Sequence, residues 1–278
     1  MMLISKTAPP KNLRLQAVIF DWAGTLVDYG SCAPLAAFAE VFQLHGVPIT
    51  DAEGRQPMGK EKREHLSELL GMQEIRARWR ETHGAAPGPR ELDRLYSDFV
   101  ARQPSCVTSH AGLVPGASAC VNECRRRGLK IGSSSGYTQE VLNRLVALSQ
   151  EQGCNLDAVV SAGEVPAGRP APWMIWENAR RLQVYPPATL VTIDDTAVGI
   201  QAGLNAGTWT VGVVASGNLI GLPLDEFQRL AEDRRQQLLA MGYEAMQAAG
   251  AHYVIDTVAD LPAVLDHIEQ RLAQGGRP

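Results

Sequence analysis

The chain of 278 residues has no long hydrophobic run. Its longest apolar stretches, such as Val211 to Ala215 with an internal glycine, fall far short of the roughly 20 residues that cross a bilayer. The stretch from Met1 to Gln16 carries no apolar core of the kind a secretory signal needs, so membrane insertion and secretion are not expected, and a cytoplasmic protein is. Cysteine is scarce and odd in number: five, with Cys120 and Cys124 at i,i+4 spacing and no second pair or histidine nearby to complete a zinc site. Reduced thiols are the expectation. Neither sign of charge dominates, since 26 Lys and Arg stand against 30 Asp and Glu for a net charge of −4, which excludes a bulk basic field for nucleic acid or anionic lipid. Any anionic ligand is therefore held locally. What is present, 45% hydrophobic and 20% charged residues, is ordinary globular usage and excludes disordered and disulfide-scaffold chains. Internal repeats and low-complexity tracts are absent, and the length allows one large or two modest domains.

Leu15 to Phe20 is a short apolar, β-branched run that stops at Asp21, which reads as a buried strand with an acid at its C-terminal tip. From Cys32 to about Thr108 the periodicity becomes helical: Leu35, Phe38, Ala39 and Phe42 recur at spacings of three and four, as do Leu66, Leu69 and Leu70. Strand patterns return at 129–133, 158–161, 189–193, 209–214 and 252–255, with helical stretches between them and an amphipathic helix at the end. Short apolar strands alternating with helices require right-handed crossovers and a largely parallel, helix-covered sheet. The expectation is an α/β fold, a doubly wound parallel sheet with an inserted α-helical cap domain. The core is placed at 1–30 and 109–278 and the cap at 31–108. Ligands of open α/β sheets bind at the carboxyl ends of the strands, where such an insert lies over them as a lid. The segment 222–250, rich in charge, Gln and Ala, reads as one or two surface helices with no assignable chemistry.

Asp21, Ser135, Arg169 and Asp195 each fall at or just after a strand pattern, so this topology gathers them into one place. Any one of them has an ordinary alternative, such as an Asp capping the next helix. Asp21-Trp22-Ala23-Gly24-Thr25 resembles the first motif of the haloacid dehalogenase superfamily. Counterparts of its other motifs stand at Ser135 in Ile131–Gly136, at Arg169 in Ala167-Gly168-Arg169-Pro170, and at Asp195 in Ile193-Asp194-Asp195-Thr196. The resemblance implies a Rossmann-like core, Asp21 as a nucleophile that becomes phosphorylated, and Mg²⁺ held by Asp21, Asp195 and the Ala23 carbonyl. It also implies that Ser135 and Arg169 hold the phosphoryl group. Independently of any family, a dianionic phosphoryl group repels a carboxylate nucleophile unless a cation and fixed donors neutralise both.

Phosphatases of that superfamily carry a second Asp two residues after the nucleophile, where this chain has Ala23. Without it an ester-leaving oxygen loses its proton donor, and general acid help is typically worth a hundred- to ten-thousand-fold, roughly 3 to 5 kcal/mol. The inserted block supplies a complement. In Pro57-Met58-Gly59-Lys60-Glu61-Lys62-Arg63-Glu64-His65, Lys62 and His65 sit three residues apart on one face of a helix opening after a Pro/Gly turn. That pattern, with Ala23, resembles the phosphonoacetaldehyde hydrolase branch of the superfamily. The resemblance implies cleavage of a carbon–phosphorus bond with Lys62 forming a Schiff base, His65 shuttling protons, and Tyr137, Met58 and Gly59 near the substrate. It also implies a homodimer and a small-molecule phosphonate substrate. The ordinary alternatives are a solvated face for Lys60, Lys62 and Arg63 paired to Glu61 and Glu64, a packing role for His65, and a buried structural Tyr137.

Imine formation requires a neutral amine, and an unperturbed lysine is only about 0.04% neutral at pH 7. Lys60, Arg63 and a desolvating lid lower the pKa of Lys62 if they face it, and Glu61 and Glu64 raise it. The chain departs from the superfamily at Ser31, Leu26 and Gly199, the last standing where many members place a further acid. Asp194 precedes Asp195, but adjacent residues of a strand point apart, so Asp195 ranks ahead as the metal ligand. His45, His83, His110, His252 and His267 show no ligand-like grouping. Two readings compete with C–P hydrolysis: a phosphatase for another small phosphorylated metabolite, with Lys62 a binding cation, and a silent scaffold retaining the fold.

Overall fold

The computed structural model describes residues 13–278, so most of the leader read at Met1 to Gln16 lies outside the described residues. Among the described residues six parallel strands form one sheet: β1 (Ala17–Phe20), β2 (Lys130–Ser135), β3 (Ala158–Ser161), β4 (Leu190–Asp194), β5 (Trp209–Val213) and β6 (Tyr253–Ile255). Their order is β3-β2-β1-β4-β5-β6, so the winding reverses at β1 and opens a crevice at the carboxyl ends of β1 and β4. Two strands run further than their apolar patterns indicate. Ser135 pairs with Ser161 and Asp194 with Gly212, so the ladder carries polar residues that hydropathy cannot assign to a sheet.

Between β1 and β2 lie five helices: α1 (Cys32–Leu44), α2 (Asp51–Arg55), α3 (Lys62–Gly71), α4 (Gln73–His83) and α5 (Pro89–Ser109). The rest of the chain adds α6 (Ala117–Arg126), α7 (Gln139–Glu151), α8 (Trp173–Leu182), α9 (Ala197–Ala206), α10 (Leu224–Arg229), α11 (Glu232–Ala248) and α12 (Leu261–Ala273). The last stretch before β6 is thus two helices, as its composition suggested. No helix among the described residues is long and apolar enough to cross a membrane.

The alternation of β1 sends side chains to both faces of the sheet. Val18 and Phe20 join Val121, Leu142 and Leu265 in one apolar cluster, while Ala17 and Ile19 join Ile175, Leu182 and Ala202 in another. The inserted helices have an apolar interior of their own, built on Phe38, Phe42, Leu66, Leu69, Trp79 and Phe99. Two helix starts in this block are fixed by nearby carboxylates. The Asp28 carboxylate accepts from the backbone N–H groups of Cys32 (3.0 Å) and Ala33 (2.9 Å) at the start of α1. The Glu61 carboxylate accepts from those of Arg63 (2.9 Å) and Glu64 (3.0 Å) at the start of α3. Glu61 is thereby committed to the helix, and Lys62 becomes its first residue.

Candidate active site

Asp21 follows β1 directly and Asp195 follows β4, so both acids lie at the crevice, as their strand-tip positions predicted. Asp194 is there too, and this corrects the expectation that it points away: carboxylate oxygens of Asp21, Asp194 and Asp195 lie within 4.8 Å of one another, all buried. Strand alternation fails as a guide because the chain bends immediately after Asp194. Thr196 then donates from its N–H (2.9 Å) and its hydroxyl (2.7 Å) to one Asp194 oxygen. The N–H of Asn218 donates to Asp195 at 2.7 Å. Gly199 makes this possible. A Cβ placed there would lie 1.9 Å from the Asp194 carboxylate carbon, so the residue that removes one acid from α9 leaves the room into which another folds.

Arg169 joins these acids from the loop after β3. Its Nη2 donates to Asp21 at 2.6 Å and to the Ser134 carbonyl and hydroxyl at 3.0 and 3.1 Å, with Asp194 at 3.0 Å. Burial works against its charge, but Asp194 and Asp21 outweigh that and hold the guanidinium charged. Burial, aided by Asp194, pushes Asp21 up to about 7 against the opposing pull of Arg169, and burial with the charge of Asp21 pushes Asp195 well above its usual range. Three buried carboxylates beside one cation are short of positive charge. Their hard oxygen donors fit a divalent cation of the Mg²⁺ type, and Ala23 lines the same cavity. Ser135 also lines it, and its hydroxyl oxygen accepts from the Tyr137 N–H at 3.1 Å.

Lys62 heads the inward face of α3, whose buried positions are Lys62, His65, Leu66, Leu69 and Leu70. The spacing that predicted a shared face for Lys62 and His65 is thus the helix's packing stripe. Only 5% of Lys62 is exposed. Its Nζ lies over the ring of Tyr137, 4.9 Å from the centroid, and 5.8 Å from that of Phe38. Burial lowers its pKa to about 8; Arg169 adds to the effect, while Asp21, Glu61 and Asp195 oppose it. Lys60 and Arg63 are not the cause. They turn outward, Lys60 pairing with Glu68 and with Glu64 at 3.6 Å, and Arg63 with Asp93.

His65 stands one ring behind the amine. Its Nε2 donates to the Gly54 carbonyl at 3.0 Å, and the ring stacks on Phe38 at 3.8 Å, which in turn stacks on Phe99 at 4.5 Å. Nδ1 is left as an acceptor with no protein partner, and burial together with nearby Lys62 keeps the imidazole neutral, well below its usual pKa. Gly59 has φ +91°, and a Cβ on it would come within 2.4 Å of the Thr196 hydroxyl. A Cβ on Gly136 would come within 2.7 Å of the Lys60 carbonyl. These two glycines let the inserted helices seat directly on the strand ends. Asp21, Met58, Gly59, Lys62, Ser135, Tyr137 and Arg169 thus share one cavity, with about 300 Å³ of empty space. Phe38, Ser134, Thr196 and Asn218 support it and carry no sequence signal beyond ordinary core or turn residues.

A parallel α/β sheet with a strand-end aspartate cluster, a fixed arginine and an inserted helical block defines a class of hydrolase. A profile of the haloacid dehalogenase-like hydrolases matches residues 15–207, and the chain belongs to that family. Among its relatives, it is 42% identical over 264 residues to a phosphonoacetaldehyde hydrolase of Paraburkholderia phytofirmans, covering 95% of this chain and 99% of the relative. It is 38% identical over the full length of both chains to a phosphonoacetaldehyde hydrolase-like protein of Syntrophobacter fumaroxidans. The solved structure of a phosphonoacetaldehyde hydrolase-like protein from Oleispira antarctica superposes with a TM-score of 0.96 at 38% identity, over 99% of this chain and all of the other.

Proposed function

We propose that this protein hydrolyses phosphonoacetaldehyde to acetaldehyde and phosphate, and that the helical block at 31–108 acts as a cap whose lysine takes part in the reaction. One observation carries the reading: the amine of Lys62 is buried in the same cavity as Asp21, with an alanine where an ester hydrolase would need its acid. The names of the relatives point the same way.

The chemistry follows from the leaving atom. Carbon cannot be protonated in advance as an ester oxygen can, so the electrons of the breaking bond need another destination. The neutral amine of Lys62 adds to the aldehyde to give a carbinolamine, whose hydroxyl takes up one proton from solvent and leaves as water, so that a protonated imine stands next to the carbon that bears phosphorus. A carboxylate oxygen of Asp21 attacks phosphorus, the C–P pair moves into the enamine, and an aspartyl phosphate forms. Protonation of the enamine carbon and hydrolysis of the imine release acetaldehyde and regenerate Lys62, and a second water releases phosphate from Asp21. Arg169 and Ser135 hold phosphoryl oxygens, and the ring of Tyr137 faces the cationic imine nitrogen. The Nδ1 of His65 is an acceptor for the proton that the amine nitrogen sheds on addition, relayed by water and returned to the carbinolamine oxygen. Asp21, Asp194, Asp195 and the Ala23 carbonyl would hold Mg²⁺, which when bound neutralises nucleophile and phosphoryl group together.

Phosphate and acetaldehyde should appear in equal amounts from phosphonoacetaldehyde, and borohydride added during turnover should fix a two-carbon adduct on Lys62, read by peptide mass mapping. Lys62→Arg keeps the charge but cannot form the imine, so kcat should fall at least about a thousandfold, on the order of 4 kcal/mol. Turnover without an adduct, or hydrolysis of simple phosphate esters undiminished in Lys62→Arg, would overturn the reading in favour of an ordinary phosphatase.

A further inference from the structure

Arg55, the last residue of α2, is assigned no part in the chemistry above, yet it makes the most connected contact between the inserted helices and the rest of the chain. Its Nη1 donates to the carbonyls of Gly30 (2.9 Å) and Ser31 (3.2 Å) and to the side-chain oxygen of Asn218 (3.0 Å). Its Nη2 donates to the carbonyl of Gly221 at 2.9 Å. The amide of Asn218 returns a bond to the Arg55 carbonyl at 3.3 Å. Gly221 has φ +68°, and a Cβ there would lie 2.6 Å from the guanidinium carbon, so the fork rests directly against that backbone.

The three places it ties together matter. Gly30 and Ser31 belong to the linker by which the chain leaves β1 for the helical block. Asp28, Gly30 and Ser31 in it all have left-handed backbone, at φ 58°, 90° and 50°. Only glycine adopts that conformation freely, so a linker holding two other residues there is fixed by its surroundings. Asn218 belongs to the loop after β5, and its N–H is the donor that holds Asp195. The same loop grips the linker a second time, because Gly30 donates its N–H to the Ser216 carbonyl at 2.7 Å and the Ser216 hydroxyl donates to the Gly24 carbonyl at 2.7 Å. On the other side, the Met58 N–H donates to the Arg55 carbonyl at 3.1 Å, which starts the turn through Gly59 to Lys62. One planar cation thus spans the linker, the loop behind Asp195 and the root of the turn that delivers the lysine. All of its acceptors are carbonyl oxygens, so no carboxylate competes for it within this set.

We propose that Arg55 is the positioning residue that locks the inserted helices over the strand ends, setting Lys62 opposite Asp21 and, through Asn218, fixing the orientation of Asp195. It rests on the reading of Lys62 and Asp21 as the reacting pair, but its first test needs no substrate. Arg55→Met keeps most of the apolar stem and removes every donor. Acylation of lysines by an amine-reactive ester, followed by peptide mass mapping of the whole protein, should show Lys62 modified at least tenfold faster in this variant, with Lys130 on β2 unchanged. In turnover, kcat should fall at least tenfold while KM moves less than threefold. Arg55→Lys, which reaches some of the carbonyls, should recover part of both effects.

Asn218→Ala removes the side chain but keeps the N–H to Asp195. It should shift Lys62 labelling in the same direction, and the double variant with Arg55→Met should be no worse than Arg55→Met alone. Should Arg55→Met not fold, Asn218→Ala carries the labelling test by itself. Lys62 labelling at the parental rate in Arg55→Met, or in Asn218→Ala if that variant must stand alone, overturns the proposal. So does a loss of kcat that Arg55→Lys leaves wholly unrelieved. A parent that does not turn over phosphonoacetaldehyde sinks the functional reading, and the labelling result then still decides whether Arg55 holds the helices down.

Discussion

A lysine buried away from water with an arginine nearby should titrate far below its ordinary range, and this is where the proposed chemistry is most exposed to test. At a pKa of about 8, roughly one Lys62 amine in ten is neutral at pH 7, against about 0.04% for an unperturbed lysine, a gain of about two hundredfold in the form that attacks an aldehyde. The chain has only five lysines, so spectra of protein carrying ¹³C at the lysine Cε resolve them, with Lys62→Arg assigning the signal. Its chemical shift should titrate near 8. The sign of one neighbour is also fixed. Asp21 is the charge that most strongly raises Lys62, so Asp21→Asn should move the midpoint downward. Removing one nearby opposite charge is typically worth on the order of one pKa unit, about 1.4 kcal/mol. Imine formation, which needs the neutral amine, should accordingly rise with pH through the Lys62 midpoint and level off above it. A midpoint at 10 or higher, or an upward shift in Asp21→Asn, would refute the argument that burial prepares this amine.

The Asp194 carboxylate occupies the space a side chain at 199 would need, so Gly199→Ala should destabilise the fold by about 1–3 kcal/mol in urea titrations. On an Asp194→Ala background the same change should cost under about 0.5 kcal/mol, and additive penalties would contradict the interlock. Three clustered carboxylates should also make the protein sensitive to divalent cations. Millimolar Mg²⁺ should raise the melting temperature and EDTA should abolish turnover reversibly, whereas an unchanged melting curve and rate would refute the metal site.

Much of the architecture was legible because hydrophobic periodicity is a local property. The apolar run ending at Asp21, the helical spacing from Leu35 to Leu70 and the later strands each announce their type within a few residues. Ser135, Arg169 and Asp195 could be gathered in advance because a parallel sheet puts every strand end on one edge. Asp194 could not be placed, because its direction depends on a bend after β4 and on empty space at a glycine five residues later. The desolvating lid over Lys62 was foreseen, but the cation that adds to its effect was not. Lys60 and Arg63 are its nearest positive charges in the chain, but they pair outward with Glu68 and Asp93, and the fold brings Arg169 from more than a hundred residues away.

The chemical inventory was already written in the order of residues: an acid after the first strand, an alanine two residues on, and a lysine opening a helix after a Pro/Gly turn. Those follow from residue identity and short-range spacing, which no later packing can alter. Folding in three dimensions was needed to bury the lysine rather than leave it solvated, to turn both adjacent aspartates, Asp194 and Asp195, into the crevice, and to let Arg55 span linker, loop and turn. These are matters of desolvation and of contact between segments distant along the chain, and both arise only when those segments pack together.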